Sequence, residues 1–354
     1  MLSHLKVVEL ASVLAGPDVG MFFAELGAKV IKIENKSTGG DVTRKWKLST
    51  EKKEKNISAY FSSVNWHKKH LFYNLKDKED RQEVYQLIES ADIVIVNYKP
   101  GDDIKLGMDY NTLKKLNPSI IYGEINGYGK DSKRAAYDVV LQAETGYMSM
   151  NGTTTSGPVK MPIALIDVLA AHQLKEGILL ALLKREKTGK GSLVEVSLYD
   201  TALASLKNQA TNWLMNQFIP QRIGSLHPNI APYGETFETK DGQFMVLAIG
   251  SDKHFEMLLK VIHASHLMDN EKYATNQQRV TYRKELDLDL QPYFKKHHSE
   301  KLMQQFLEEN IPVGMVKNMK EVFKDKKAQN LILKEEIEGQ TTLRVKTAVF
   351  KISD

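Results

Sequence analysis

The sequence predicts an α/β protein, with a large domain built on a doubly wound, Rossmann-like parallel sheet and a smaller α+β domain after it. Three observations carry this. Through the first 200 residues, short apolar runs alternate with stretches of helical apolar spacing, the pattern of parallel strands joined by crossover helices. Around residue 220 the texture changes to proline-punctuated loop and then to a hairpin signal. The composition (354 residues, 42% apolar, 26% charged) is that of a globular chain long enough for two domains.

Lys6-Val-Val-Glu-Leu10 reads as the first strand, interrupted by Glu9. From Pro17 to Leu26 the apolar residues Val19, Met21, Phe22, Phe23 and Leu26 fall at helical spacing, and Gly27 stands where a helix ends. Lys29-Val-Ile-Lys-Ile-Glu34 is the second strand. An extended Leu71 to Leu75, a helix over 76–90 and a buried-type strand Asp92-Ile-Val-Ile-Val-Asn97 repeat the pattern. Tyr110 to Leu116 is a short helix stopped by Pro118, and Ser119-Ile-Ile-Tyr122 another strand. An apolar extended run, Met161 to Ile166, leads into a long helix over 168–187, which Thr188-Gly-Lys-Gly191 closes before the strand Leu193 to Ser197. Pro220, Pro228 and Pro232 mark loop, and Gly234 to Thr239 and Gln243 to Ala248 flank Lys240-Asp241-Gly242 as a hairpin. Lysine-rich helical sequence follows to about Glu308, then an extended Ile311 to Val316 and a β-like Thr341 to Ile352. The expected organisation is a large domain over 1–205, a linker over 206–224, a small domain over 225–300, and a segment over 301–354 that links and returns to the large domain.

The +5 net charge is spread along the chain without a basic block, which argues against a nucleic-acid partner but leaves lysines for a phosphorylated small molecule. The chain has no cysteine, which excludes disulfides, thiolate nucleophiles and Cys-ligated zinc. The longest apolar helical stretch, Gly177 to Leu183, is far short of the ~20 residues of a membrane span. Met1 to Lys6 carries no signal-peptide core, so a cytoplasmic protein without a membrane partner is expected.

Several motifs imitate known chemistry. The opening strand–helix–strand with Glu34 at its end mimics a dinucleotide-binding unit. Its turn, Leu14-Ala-Gly-Pro-Asp-Val-Gly20, lacks the three-glycine fingerprint that brings backbone against pyrophosphate. No histidine pair has zinc-site spacing, so no metal is expected. Thr188-Gly-Lys-Gly191 closes a helix where a phosphate loop would open one. Asp167 is the most informative residue. At a strand-to-helix corner it can cap the helix, accepting first-turn amides, or present a nucleophile; the two roles are compatible.

Leu14-Ala-Gly-Pro17, Ala24 to Glu34, Gly40-Asp-Val-Thr-Arg44 and Ala91 to Gly101 come in series, followed by Leu116 to Tyr122, Gly127-Tyr-Gly129, Ala136-Tyr-Asp138, Gln142-Ala143, Ile166-Asp167, Lys187 to Gly191 and His227 to Tyr233. In this order and spacing, across about residues 5–325, the chain resembles the family III coenzyme A transferases, the group of the formyl-CoA and carnitine CoA-transferases. The resemblance implies an enzyme that holds no permanent cofactor, takes acyl-CoA and a small carboxylic acid as substrates, and forms an interlocked homodimer. The family's nucleophilic aspartate matches Asp167. Its CoA-binding positions fall on Val13 and Leu14, on Tyr73 and Leu75 to Lys76, on Asn97, Tyr98 and Lys99, and on Lys105. Asn35 stands where the family pattern has a basic phosphate contact, so that contact is expected either from Lys36 or not at all. Ser225 to Pro232 replaces a glycine-rich gate and should be stiffer. Racemases of the same fold carry a histidine before the aspartate of a His-Asp pair; here that position is Tyr137, on the substrate side, which favours transfer over α-proton exchange. A CoA-binding protein without catalysis would keep the lysines without needing Asp167.

Overall fold

A computed structural model describes residues 1–353 as two compact units. The first contains Met1–Gly152, Ser156–Arg222 and the chain from Asn330 onward; the second contains Thr153–Thr155 and Ile223–Gln329.

In the first unit β1 (Lys6–Glu9), β2 (Lys29–Asn35), β3 (Lys68–Tyr73), β4 (Ile93–Val96), β5 (Ile121–Asn126) and β6 (Ser192–Ser197) form one sheet in the order 3-2-1-4-5-6, every pair parallel. Alternation along the strands sorts their side chains into two cores. Val7, Ile93, Ile95 and Ile121 pack with Val19 and Phe23 of α1 (Ala15–Glu25). Val8, Val94, Val96 and Tyr122 pack with Val84 and Ile88 of α2 (Lys78–Glu89). α3 (Asp138–Glu144) and the long α4 (Leu165–Thr188) add Leu141, Leu174 and Ile178 to the first core. Two glycines of α1 are required by packing: a Cβ on Gly16 would sit 2.3 Å from the Ala11 Cβ, and one on Gly20 1.8 Å from the Glu9 carboxylate. The spacing that imitates a phosphate-binding turn is there to let helix and strand approach.

Three sequence expectations change. Met161 to Ala164 is a bend, not a strand, and α4 begins at Leu165, three residues early. The expected linker over 206–224 contains α5 (Asn208–Asn216), which buries none of its residues and so shows no core-facing pattern. The second unit continues past residue 300 to Gln329. There β7 (Tyr233–Glu238) and β8 (Phe244–Ala248) are completed by β9 (Val313–Met315), a third antiparallel strand drawn from the extended 311–316 segment. Phe237 stacks on Phe294 at 4.6 Å in that unit's core. From Asn330 the chain forms a two-stranded hairpin, β10 (Ile332–Ile337) with β11 (Gln340–Val345), within the first unit. Arg44 Nη1 reaches Glu338 at 3.1 Å, and Glu25 accepts the Thr347 and Ala348 amides. Among the described residues no helix is long and apolar enough to cross a membrane.

Candidate active site

The carboxyl ends of β1 and β2 open onto a cavity of about 590 Å³, within the range of ligand pockets. It is lined by Ala11 and Ser12 after β1, by Glu34, Asn35, Ser37, Thr38, Gly40 and Asp41 at and beyond the end of β2, and by Tyr73, Leu75, Lys76 and Tyr98. The wall after β2 is held by buried charge. Glu34 accepts Arg44 Nε at 2.7 Å and Nη2 at 2.6 Å, the His70 ring at 2.8 Å and the Asp41 N–H at 2.8 Å. Burial pushes its pKa up, but the Arg44 and His70 bonds outweigh that and hold it well below the usual carboxylate range. Glu34 therefore acts as an internal anchor. Glu9, fully buried under the same turn, receives Lys32 at 2.9 Å and Lys68 at 2.7 Å, and Lys32 also pairs with Asp41 at 3.1 Å.

Asp167 lies in the first turn of α4, partly buried, and is not its cap. The N-cap is Ala164, with no side-chain cap bond, so the capping role expected from sequence does not hold. The Val168 N–H is given to the Ala164 carbonyl at 3.1 Å. The Ile166 N–H goes to Asp138 Oδ2 at 2.7 Å. Asp138 Oδ1 takes Gln142 Nε2 at 2.5 Å, and Gln142 Oε1 takes the Met161 N–H at 2.8 Å. Asp138 and Gln142, one turn apart on α3, thus clamp the bend before Asp167. Among the described residues neither the Asp167 carboxylate nor its own N–H has a hydrogen-bond partner. Burial, and secondarily the Asp138 charge, raise its pKa to about 7. Tyr60 is drawn into the same field: burial first, then Asp167, Asp138 and Asp41, raise its pKa.

Of the residues singled out from sequence, Tyr73, Leu75, Lys76 and Tyr98 share the cavity. Val13, Leu14, Asn97, Lys99, Lys105 and Asp167 do not line it. Asn97 works on the backbone instead, taking the Ser12 N–H at 2.9 Å and giving its amide to the Ser12 carbonyl at 2.7 Å. Lys99 is exposed, and Lys105 pairs with Asp102 in solvent at 2.9 Å. Lys36 is not on the lining; Lys45 is, with its ammonium on the Thr38 carbonyl at 3.1 Å. Tyr137 is exposed at the head of α3. Sequence reasoning assigned no role to Asp138, Gln142, Tyr60, Asp41 or Lys45. The i, i+4 pairing of Asp138 with Gln142 was the one signal available. A lysine on the cavity should matter more than one in solvent: Lys76→Ala is expected to weaken CoA binding by about tenfold, and Lys105→Ala by less than about threefold, in titration calorimetry.

In the second unit the 225–232 segment is fastened rather than free. Arg283 donates to the His227 carbonyl at 2.7 Å and to that of Ile230, Arg279 to that of Ala231 at 3.0 Å, and Asn276 to that of Asn229 at 2.8 Å.

The family model described as CoA-transferase family III matches residues 2–354. A succinate–glutarate CoA-transferase of Agrobacterium fabrum is 34% identical over 96% of this chain and 86% of its own length. The succinyl-CoA:glutarate CoA-transferase of Homo sapiens is 34% identical over 97% of this chain and 78% of its own. The crystal structure of a CaiB/BaiF family protein from Brucella suis superposes with a TM-score of 0.88 at 34% identity, covering 100% of this chain and 93% of that one. This chain belongs to CoA-transferase family III.

Proposed function

We propose that this family III enzyme moves coenzyme A from an acyl-CoA to a small carboxylic acid through covalent intermediates on Asp167. The observation that carries the reading is the carboxylate itself, fixed at a helix start by the Asp138–Gln142 clamp yet engaged by no donor. A carboxylate not stabilised by donors is the more reactive nucleophile, and the helix N-terminus tolerates its charge. An Asp167 oxygen adds to the thioester carbonyl, and the C–S bond breaks to give an aspartyl–acyl anhydride and CoA thiolate. The thiolate then attacks the aspartyl carbonyl, which releases the first acid and leaves an aspartyl-CoA thioester. The second acid reverses both steps and departs as its CoA ester. Each step exchanges one acyl bond for another, so no outside energy is required. The free Asp167 N–H is the nearest candidate donor to an oxyanion on the aspartyl carbon.

Two named relatives handle succinate and glutarate, so short dicarboxylates are the acids to try first. Succinyl-CoA with glutarate should give glutaryl-CoA by mass spectrometry, and hydroxylamine should trap a hydroxamate at Asp167. In D2O a chiral 2-methylacyl-CoA should keep its α-hydrogen, because Tyr137 stands where the racemases carry the histidine that serves as their second base. Fast α-deuteration without CoA transfer would put a racemase in its place.

The homodimer belongs to the same proposal. α4 leaves Leu180 67% and Leu183 56% exposed, and Leu214 and Met215 of α5 are 73% and 75% exposed. Apolar surface of this kind on a soluble enzyme marks an interface. Sedimentation should give about twice the 40.1 kDa chain mass; a monomer would refute it.

A further inference from the structure

Val13 has φ +72°, the left-handed region, and it is β-branched. That combination is a genuine outlier in folded proteins and persists only where surroundings enforce it, most often at functional sites. Here the surroundings are explicit. Asp41 accepts the Val13 N–H, with its two oxygens at 3.2 and 3.4 Å. Asn97 holds both backbone groups of Ser12. Lys32 donates to the Ala11 carbonyl at 2.7 Å and pairs with Asp41. Asp41 is itself fixed, 5% exposed, with its N–H on Glu34 and its carboxylate on the Thr43 N–H and hydroxyl. Within Ser12–Leu14 one peptide unit is left without an internal partner among the described residues: the Val13 carbonyl and the Leu14 N–H. The left-handed turn at Val13 sets which way that peptide faces.

We propose that Asp41 is a positioning residue: it enforces the strained Val13 turn, so that the Val13–Leu14 peptide is presented, as acceptor and donor, to the amide-bearing arm of coenzyme A. Ala11, Ser12 and Asp41 line the cavity that begins at this turn, and an arm of alternating amides matches one free carbonyl beside one free N–H. The inference rests on the proposed function, since it takes CoA as the ligand.

The test compares CoA affinity by calorimetry and the kinetics of CoA transfer in Asp41→Ala, Asp41→Asn, Val13→Gly and Asp41→Ala/Val13→Gly. Asp41→Ala should raise Kd and KM for CoA substrates by about tenfold or more, with kcat within about threefold, because Asp167 and its clamp are untouched. Asp41→Asn keeps an oxygen for the Val13 N–H and should recover most of the affinity. Glycine adopts the left-handed conformation without strain, so in the Asp41→Ala background Val13→Gly should recover a large part of the loss. A purely structural role for Asp41 predicts no such rescue. Equal weakness of Asp41→Ala with and without Val13→Gly would overturn the proposal, as would wild-type affinity in Asp41→Ala. If Asp41→Ala is too unstable to purify, the pair Asp41→Ser and Asp41→Ser/Val13→Gly decides by the same comparison: a loss that glycine recovers supports the proposal, and an equal, unrescued loss or no loss overturns it. Failure of the wild-type protein to bind CoA at all would instead strike the functional reading beneath it.

Discussion

Asp167→Asn should cost CoA transfer about a thousandfold or more, while CoA still binds within a few-fold of wild type. The amide is isosteric but cannot form the anhydride, and the cavity proposed to hold CoA is lined by other residues. The same substitution should make the protein more stable at pH 8. The Asp167 pKa is raised to about 7 by burial and by Asp138, above its unfolded value near 4. Between these limits the folded state binds more protons than the unfolded one, so this group's contribution to stability falls as pH rises. Above about pH 7 the full cost of the buried charge is present, and the amide removes it. Melting temperatures should therefore show a larger gain for Asp167→Asn at pH 8 than at pH 5. In wild type, kcat/KM should rise through pH 7 as the nucleophile ionises. A variant that kept a tenth of the activity, or gained no stability at pH 8, would leave Asp167 with a structural role only.

The strands were most legible where a short, mostly apolar run follows a helix closed by glycine or proline, as after Gly27, Pro118 and Gly189. Ile93 to Val96 has no alternative to a buried strand. What sequence left hidden depends on partners far apart in the chain. Asp167 looked like a cap because Met161 to Ile166 looked extended, yet the bend there is held by Asp138 and Gln142, 28 and 19 residues before the amides they accept. The resemblance put CoA contacts on Lys99 and Lys105, which do not line the cavity; lysine on a loop carries no sign of which way it faces. Lys45 lies in a segment with no periodicity and comes to the cavity rim only because Arg44 is locked on Glu34. The strain at Val13 is a backbone property, invisible in residue identities. Gly16 and Gly20, which lack the third glycine of a phosphate-binding turn, answer instead to Ala11 and Glu9.

Glu9 interrupts an otherwise apolar strand, and its replacement should be the most damaging to the fold. Its carboxylate is the shared counter-ion of Lys32 and Lys68, all three buried. Removing one member of a buried ion network costs about 3–5 kcal/mol, because the remaining charges are left unpaired. Lys32 retains Asp41 as a partner, whereas Lys68 keeps only the Pro17 carbonyl at 2.7 Å and the Asn65 amide oxygen at 3.2 Å. Burial already lowers the Lys68 pKa to about 8, against the pull of Glu9. In Glu9→Gln it should fall further, so that folded Lys68 sheds its proton while the unfolded lysine keeps its own up to about 10.4. Across that window the unfolded state binds more protons, and stability rises with pH. Denaturant unfolding of Glu9→Gln should accordingly show a loss of several kcal/mol at pH 6 that shrinks toward pH 9. Glu9→Gln/Lys68→Met, which removes the stranded charge, should regain part of the loss at pH 6 and flatten the pH dependence. A loss that does not vary with pH would mean that packing at Gly20, and not the charge on Lys68, governs the cost.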